Sequence, residues 1–306
     1  MMRVPVAAVA ALILAGAATT ARAQDTLRVC LDENVPPYSV RHGQGGSGFD
    51  VAVADAVAQR LGRTLAVEWF ESKVETDSSS TLAANALLSD GRCQLVAGYP
   101  LIKDALGKPA AETARLPDYD GATPADRRRR VALGTLVPSR AYHRAPLTVV
   151  LAPGVAKPIT GLADLEGLKL VTEASTLEDT ILMTYRDGAL VDHITHLVPG
   201  RGELLPRLER GGFDAALLPL HRFDAYRARH PETALKPSGY YHRIGFNMGF
   251  VGLSTEAPLI QQVDAAIGDL LAHGAFPALA EKAGMTYVPP RPPDVGDSLS
   301  LSALRE

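Results

Sequence analysis

The chain has 306 residues, 46% of them hydrophobic, with 31 basic and 34 acidic side chains and a formal net charge of −3. The apolar content is sufficient to bury a large core. The charge balance gives no reason to expect nucleic-acid binding, and two cysteines with scattered histidines do not indicate a metal site.

The first 23 residues have the pattern of a secretory signal peptide. Arg3 supplies a positive start, residues 4–18 form a short apolar core, and Ala21-Arg22-Ala23 is a small-residue cleavage site. Cleavage before Gln24 removes Arg3 and Arg22, which leaves 29 basic side chains against 34 acidic ones. No later run of 18 apolar residues follows. We therefore expect a soluble periplasmic protein without membrane insertion of the mature chain.

The mature chain opens with a strand–loop–helix–strand unit. Residues 27–30 alternate as in a strand, and residues 34–38, including Pro36, Pro37 and Tyr38, interrupt it. Asp50 is predicted to be the N-cap of a helix that ends at Gly62, and a second strand follows over residues 64–70. The loop lies at the carboxyl end of the first strand, where open α/β sheets bind ligands.

The two cysteines fall on predicted strands. Cys30 ends the first, and Cys93 begins the apolar run of a third strand. If the first strand lies between the other two, the thiols can face each other, and the periplasm is oxidising. A disulfide is predicted; the alternative is a pair of buried free thiols.

LRVCLDENVPPYS, followed by GFDVAVADAVAQRLG, resembles the opening of family 3 of the periplasmic solute-binding proteins, the polar amino-acid receptors of ABC transporters. The resemblance implies a type II two-lobed α/β fold, each lobe a mostly parallel sheet flanked by helices. It places lobe 1 at residues 24–143 and 248–288, lobe 2 at 144–247, and a flexible tail at 289–306. A monomer with no cofactor is expected.

A narrower set is also similar: the binding-protein-like components encoded beside periplasmic quinoprotein (PQQ) alcohol dehydrogenases. The matching segments are residues 27–30 (LRVC), Trp69-Phe70 and residues 91–100 (GRCQLVAGYP), with both cysteines in matching places. Gln94 and Tyr99 depart from this pattern. The resemblance implies a dehydrogenase as an alternative partner to an ABC permease.

Two features of the first lobe are interpreted through the family. Tyr99 would lie near the ligand, or would be only a buried strand-end tyrosine. Residues 101–122 are longer than usual and read as an insertion over one rim of the cleft: a lid, a partner-contact loop or a passive surface loop.

The segment from Thr123 to Val131 resembles the family's T-P-E-R-x-x-x-V, whose arginine binds the ligand carboxylate. A guanidinium suits that role because it is planar, bidentate and always charged. Four consecutive arginines make the register ambiguous. Arg128 is the first candidate and Arg127 the second, and a solvated basic helix end is the alternative.

In the second lobe, Ser175 and Thr176 open a helix whose N-terminus would help to hold the carboxylate, unless they are ordinary caps. The family's ammonium-binding Asp is replaced by Pro219. This argues against an ordinary α-amino acid, unless Asp224 or Glu173 substitutes.

The sequence therefore predicts a non-enzymatic solute-binding protein that captures a small, carboxylate-bearing ligand for uptake or sensing. The first alternative is an accessory component of a quinoprotein dehydrogenase system. The second is a dehydratase on the same fold, for which Glu173 is the only candidate acid.

Overall fold

The computed structural model describes residues 25–72 and 80–304. The predicted signal peptide lies outside the described residues. The helices are α1 (Phe49–Arg60), α2 (Ser80–Ser89), α3 (Leu177–Thr184), α4 (Leu204–Arg210), α5 (Leu220–Arg229), α6 (Ala257–Ala272), α7 (Ala275–Lys282) and α8 (Leu301–Leu304). The strands are β1 (Thr26–Asp32), β2 (Asn34–Val35), β3 (Ser39–His42), β4 (Gly45–Ser47), β5 (Thr64–Glu71), β6 (Leu95–Pro100), β7 (Thr113–Arg115), β8 (Asp118–Tyr119), β9 (Arg130–Ala132), β10 (Leu136–Leu151), β11 (Leu170–Glu173), β12 (Ile194–Leu197), β13 (Ala215–Pro219) and β14 (Lys236–Leu253).

Nine strands form one mixed sheet in the order β12-β11-β13-β10-β14-β6-β1-β5-β8. Strands β5, β1 and β6 are parallel to one another, and so are β12, β11 and β13. We use "first lobe" for the side of the sheet that holds β5, β1 and β6, and "second lobe" for the side that holds β12, β11 and β13. Each lobe has its own buried apolar clusters.

The lobes are joined by two long antiparallel strands, β10 and β14, which pair along most of their length. The sequence predicts a hinge segment over residues 133–144 and a separate strand over residues 147–151. The structure instead has one continuous strand with register shifts at several points, two of them around Ala141. Such irregularities are where a strand can bend without losing its pairing.

Helix α1 begins two residues earlier than predicted, at Phe49, with Gly48 instead of Asp50 at the N-cap position and no side-chain cap. The prediction that Asp50 is the N-cap is therefore wrong. Gly48 has φ 125°, and a Cβ there would lie 2.4 Å from the carbonyl oxygen of Tyr38. Only glycine fits this entry to the helix. Asp50 consequently sits inside the first turn, with its carboxylate free for another use.

The predicted disulfide is confirmed. Strand β1 lies between β5 and β6, and Cys30 and Cys93 are bonded across the β1–β6 side with Cα atoms 5.7 Å apart. Both cysteines are buried in the same apolar cluster as helix α2. The bond ties together the two strands whose carboxyl ends reach the cleft between the lobes.

The segment of residues 101–122 contributes mainly to one edge of the first lobe. Its strand β8 pairs with β5, and β7 pairs with β9. Its contribution to the cleft is Ile102, together with the carbonyl of Ala105, which accepts a hydrogen bond from Tyr99. The passive alternative describes most of this segment better than a lid does.

Residues 289–304, predicted as part of a flexible tail, make specific contacts with both lobes. Asn247 on β14 exchanges hydrogen bonds with Arg291 and also donates to the carbonyls of Pro293 and Asp294. Gly296 pairs with Ile102 in the first lobe, and Leu304 packs into an apolar cluster of the second. Proline and serine content predicted little order, but the polar groups of this segment are satisfied by the body of the protein.

Candidate functional site

A cavity of about 380 Å³ lies between the lobes, within the range typical of small-molecule sites. The first lobe contributes the ends of β1 and β6 and the start of α1. The two strands that join the lobes, β10 and β14, contribute Ala145, Phe246 and Met248. The second lobe contributes Pro219, His221 and residues from α3. The cavity therefore lies where the predicted architecture places a ligand, at the carboxyl ends of the strands.

Asp50 is the most perturbed acid of the cavity. It is 3% exposed, and Tyr142 donates a hydrogen bond of 2.7 Å to its Oδ1 atom. The same hydroxyl accepts a hydrogen bond of 2.7 Å from the backbone N–H of Gly98. Burial raises the pKa of Asp50 from 3.8 to about 7, although the Tyr142 bond acts in the opposite direction. This acid thus changes charge near neutral pH.

Asp50→Asn is expected to gain stability relative to the unsubstituted protein as the pH rises. The pKa of Asp50 is higher in the folded chain than in the unfolded chain, so its contribution to the free energy of unfolding falls between about pH 4 and pH 7. The amide carries no charge and avoids this cost. The difference should grow by on the order of 2–4 kcal/mol between about pH 5 and pH 8.

Urea unfolding of both proteins at the two pH values measures that difference. The buried histidines are present in both proteins. His143, whose Nε2 atom lies 3.9 Å from Asp50 Oδ1, is neutral at both pH values because burial lowers its pKa to about 3. A difference that stays constant with pH would show that the folded chain does not raise the pKa of Asp50.

Tyr38, predicted from the loop after β1, lines the cavity and joins the lobes. Its ring centroid lies 5.1 Å from that of His143 on β10 and 4.8 Å from that of His221 on α5. Burial lowers the pKa of His143 to about 3 and that of His221 to about 4. Both histidines are therefore neutral at pH 7, and His221 cannot act as a cation for an anionic ligand.

The N-terminus of α3 is satisfied by its own side chains. Thr176 is the N-cap and accepts a hydrogen bond from the backbone N–H of Asp179, while the N–H of Ser175 donates to the Asp179 carboxylate. Neither Ser175 nor Thr176 lines the cavity, whereas Leu177 and Glu178 do. The predicted anion site is thus already occupied by Asp179, and an acid faces the cleft beside it.

The two acids proposed as substitutes for the missing ammonium-binding Asp have other partners. Glu173 is buried and pairs with Arg222 at 2.6 Å. Asp224 accepts hydrogen bonds from the backbone N–H and the hydroxyl of Thr286, and pairs with Arg227. Neither Glu173 nor Asp224 lines the cavity, whereas Pro219 does.

The structure brings Tyr99 to the cavity and leaves Arg127 and Arg128 away from it. Arg127 is exposed and pairs with Asp118, and Arg128 is exposed on a 3-10 turn. The arginine run precedes and enters β9, which pairs with the inserted strand β7. This pairing holds the run on the edge of the first lobe, as in the solvated alternative.

Sequence reasoning missed Asp50, Glu178 and His221 as cleft residues. Asp50 was visible only as a helix-start acid, and Glu178 as one of two acids in the first turn of α3. His221 lies two residues after Pro219, which occupies the position of the family's ammonium-binding Asp. This closeness in sequence is the one signal that indicated a place for His221 near the ligand.

Two further observations concern the described part of the chain. No cluster of three or more His, Cys, Asp or Glu side chains there is placed to hold a metal ion. None of the helices in residues 25–72 and 80–304 is long and apolar enough to cross a membrane.

No protein-family model matches the sequence, and no curated protein matches it. Solved structures do. The L-cystine solute receptor of Neisseria gonorrhoeae, in its unliganded open conformation, is 20% identical with a TM-score of 0.60, over 88% of this chain and 97% of that chain. Substrate-binding domain 2 of Lactococcus lactis GlnP, in an open conformation, is 15% identical with a TM-score of 0.58, over 86% and 96%.

A histidine kinase sensor domain with similarity to periplasmic binding proteins is also similar, at 17% identity and a TM-score of 0.52, over 87% of this chain and 99% of that chain. These similarities establish the fold: a two-lobed periplasmic-binding-protein-like architecture with a mixed sheet flanked by helices. The predicted fold class is confirmed.

Proposed function

We propose that this chain is a periplasmic solute-binding protein whose lobes close on a small ligand and present it to an ABC permease or to a sensor. The observation that carries the proposal is the cavity between two lobes that are joined by β10 and β14 and by the contact of Tyr38 with His221. Such lobes can close by a hinge. The similar structures include a solute receptor, a substrate-binding domain and a kinase sensor domain.

The chemistry of the cavity does not support a carboxylate as the group that is recognised. Arg127 and Arg128 lie elsewhere, and the N-terminus of α3 is occupied by Asp179. Catalysis has no support either, because Glu173, the candidate acid, is paired with Arg222 outside the cavity. We therefore propose binding without turnover, by a monomer in the periplasm.

A thermal-shift screen of the purified mature protein tests the proposal. The panel holds amino acids, dicarboxylates, amines and small alcohol-derived acids. A ligand at 100 times its dissociation constant should add about 2.7 kcal/mol of stability. Ala145→Phe, which fills the cavity from β10, should abolish the shift. A panel that gives no shift, or a shift that persists in Ala145→Phe, contradicts the proposal.

The accessory role in a quinoprotein dehydrogenase system remains the second candidate. It is favoured by Cys30 and Cys93, whose disulfide joins two of the three segments that match that set. It is also favoured by the cleft, where the described residues supply no amino-acid anchor. A pull-down from a detergent-solubilised extract that contains both periplasmic and membrane proteins should then recover a dehydrogenase, equally well with Ala145→Phe. Recovery of an ABC permease instead would contradict this role.

A further inference from the structure

Acidic side chains line the cavity. Asp32, Asp50 and Glu178 line it, whereas no lysine or arginine of the described chain does. His221, which also lines it, is neutral at pH 7 because burial lowers its pKa to about 4. Among the described residues, an anionic ligand would meet carboxyl groups and no compensating cation, which is unfavourable in a partly dehydrated site.

Glu178 is the clearest indication of a missing cation. It is 8% exposed and lines the cavity, and within the described residues no hydrogen bond or ion pair joins its carboxylate to another side chain. It lies in the first turn of α3, at the end of the helix where the dipole interacts favourably with an acidic side chain. A carboxylate buried to this extent is ordinarily paired.

Asp50 offers a second acceptor. Its Oδ1 atom is bonded to Tyr142, but no hydrogen bond to Oδ2 is found within the described residues. Oδ2 lies beside Gly98, where a Cβ would approach it to 2.4 Å. The lack of a side chain at residue 98 therefore leaves this oxygen its space next to the cavity.

The remaining lining suits an organic group rather than a bare ion. Tyr38, Phe70, Tyr99 and Phe246 contribute aromatic rings, and Met248 contributes a polarisable thioether. Aromatic faces attract ammonium groups when a carboxylate is also near. A volume of about 380 Å³ is large for a metal ion and fits a small organic molecule.

We propose that the cleft binds a small organic amine in its ammonium form, without a carboxylate, and that Glu178 and Asp50 accept hydrogen bonds from the ammonium while the aromatic side chains pack on its hydrocarbon part. This rests on the proposed solute-binding function and names the ligand class. It also gives a physical reason for the position of Arg128, because no carboxylate needs an anchor in the cleft. Glu178 and Asp50 would supply the ammonium binding that Pro219 cannot.

Titration calorimetry at pH 8 with matched probes tests the inference. The amines are 2-phenylethylamine, putrescine and benzylamine. The comparison compounds are 2-phenylethanol, which lacks the charge, and phenylalanine and 3-phenylpropionate, which carry a carboxylate. At least one amine should bind, and 2-phenylethylamine should bind at least about tenfold more tightly than phenylalanine or 3-phenylpropionate.

Glu178→Gln and Asp50→Asn, which preserve side-chain shape, should each weaken binding of the amine at least about tenfold and leave 2-phenylethanol unaffected. Glu281→Gln, the same change at an exposed position on α7, is the matched control and should bind like the unsubstituted protein. Thermal melts establish that each variant is folded before titration.

The outcomes separate the inference from the proposed function. Tight binding of a carboxylate with no binding of any amine overturns the inference and leaves the solute-binding role standing. Amine binding that both amide variants retain at full affinity also overturns it. Absence of binding by all six probes, together with no hit in the wider panel, overturns both.

Discussion

Cys30→Ala together with Cys93→Ala is expected to lower the free energy of unfolding by about 4 kcal/mol. The bond closes a loop with a sequence separation of 63 residues, and the chain-entropy treatment gives about this value for a loop of that length. The two cysteines also lie within one buried cluster, so the crosslink acts inside the first lobe. Urea unfolding of the oxidised protein and the double variant measures the difference.

Reduction provides the control. A thiol reductant should bring the unsubstituted protein towards the stability of the double variant and leave the double variant unchanged. A loss below about 1 kcal/mol would show that the disulfide adds little to the stability of the sheet. Loss of ligand binding at temperatures where the variant stays folded would further indicate that β1 and β6 need the bond to hold the cleft.

Asp224→Ala is expected to cost about 3 kcal/mol, because it removes a fully buried acceptor from three donors. The backbone N–H and the hydroxyl of Thr286 would lose their partner, as would Arg227. Helix α5 belongs to the second lobe, and Thr286 follows α7, which packs against α1 in the first lobe. The change therefore weakens a contact between the lobes as well as the fold.

Chemical denaturation measures the loss, and Asp224→Asn and Asp192→Ala serve as comparisons. The asparagine keeps an oxygen that can accept from Thr286, so its cost should be smaller. Asp192 is exposed, so its substitution should fall within about 0.5 kcal/mol of the unsubstituted protein. Equal costs for Asp224→Ala and Asp192→Ala would contradict the assigned role.

The elements of the first lobe were largely predictable from sequence. The predicted strand over residues 64–70 corresponds to β5, and the position of β1 between its two neighbours correctly predicted that Cys30 and Cys93 would meet. These predictions rest on local apolar patterns that burial enforces. The contacts of residues 289–304 were not predicted, because their partners are distant in sequence. The main partner is Asn247, and no local pattern indicates it.

The site was predictable only in part. Tyr38 and Tyr99 reach the cavity because they follow strands whose carboxyl ends meet there. Arg127 and Arg128 do not reach the cavity, because the pairing of β7 with β9 holds this arginine run at the edge of the first lobe. That pairing depends on residues 101–122, which lie outside the arginine motif. The positions of the Glu178 and Asp50 carboxylates in the cleft could not be predicted without knowing the side-chain directions. An acid at the start of a helix serves equally well to cap the helix or to face a ligand.

Three groups expected for an amino-acid ligand do not reach the cleft in the described chain: the N-terminus of α3 is occupied by Asp179, Pro219 replaces an acid, and the arginine run lies elsewhere. Asp32, Asp50 and Glu178 line the cleft instead. Fold similarity by itself would not have predicted this, because function resides in the site rather than in the fold.

The most direct test of the account is a crystal structure of the protein with 2-phenylethylamine. We expect electron density in the cavity between the lobes. The ammonium should lie within about 3 Å of the Glu178 carboxylate or of Asp50 Oδ2, and the phenyl ring should lie among the aromatic side chains. A smaller cavity of about 240 Å³, lined in part by Arg222 and Arg229, adjoins His221. Density only there, or an ammonium turned away from both acids, would contradict the central claim.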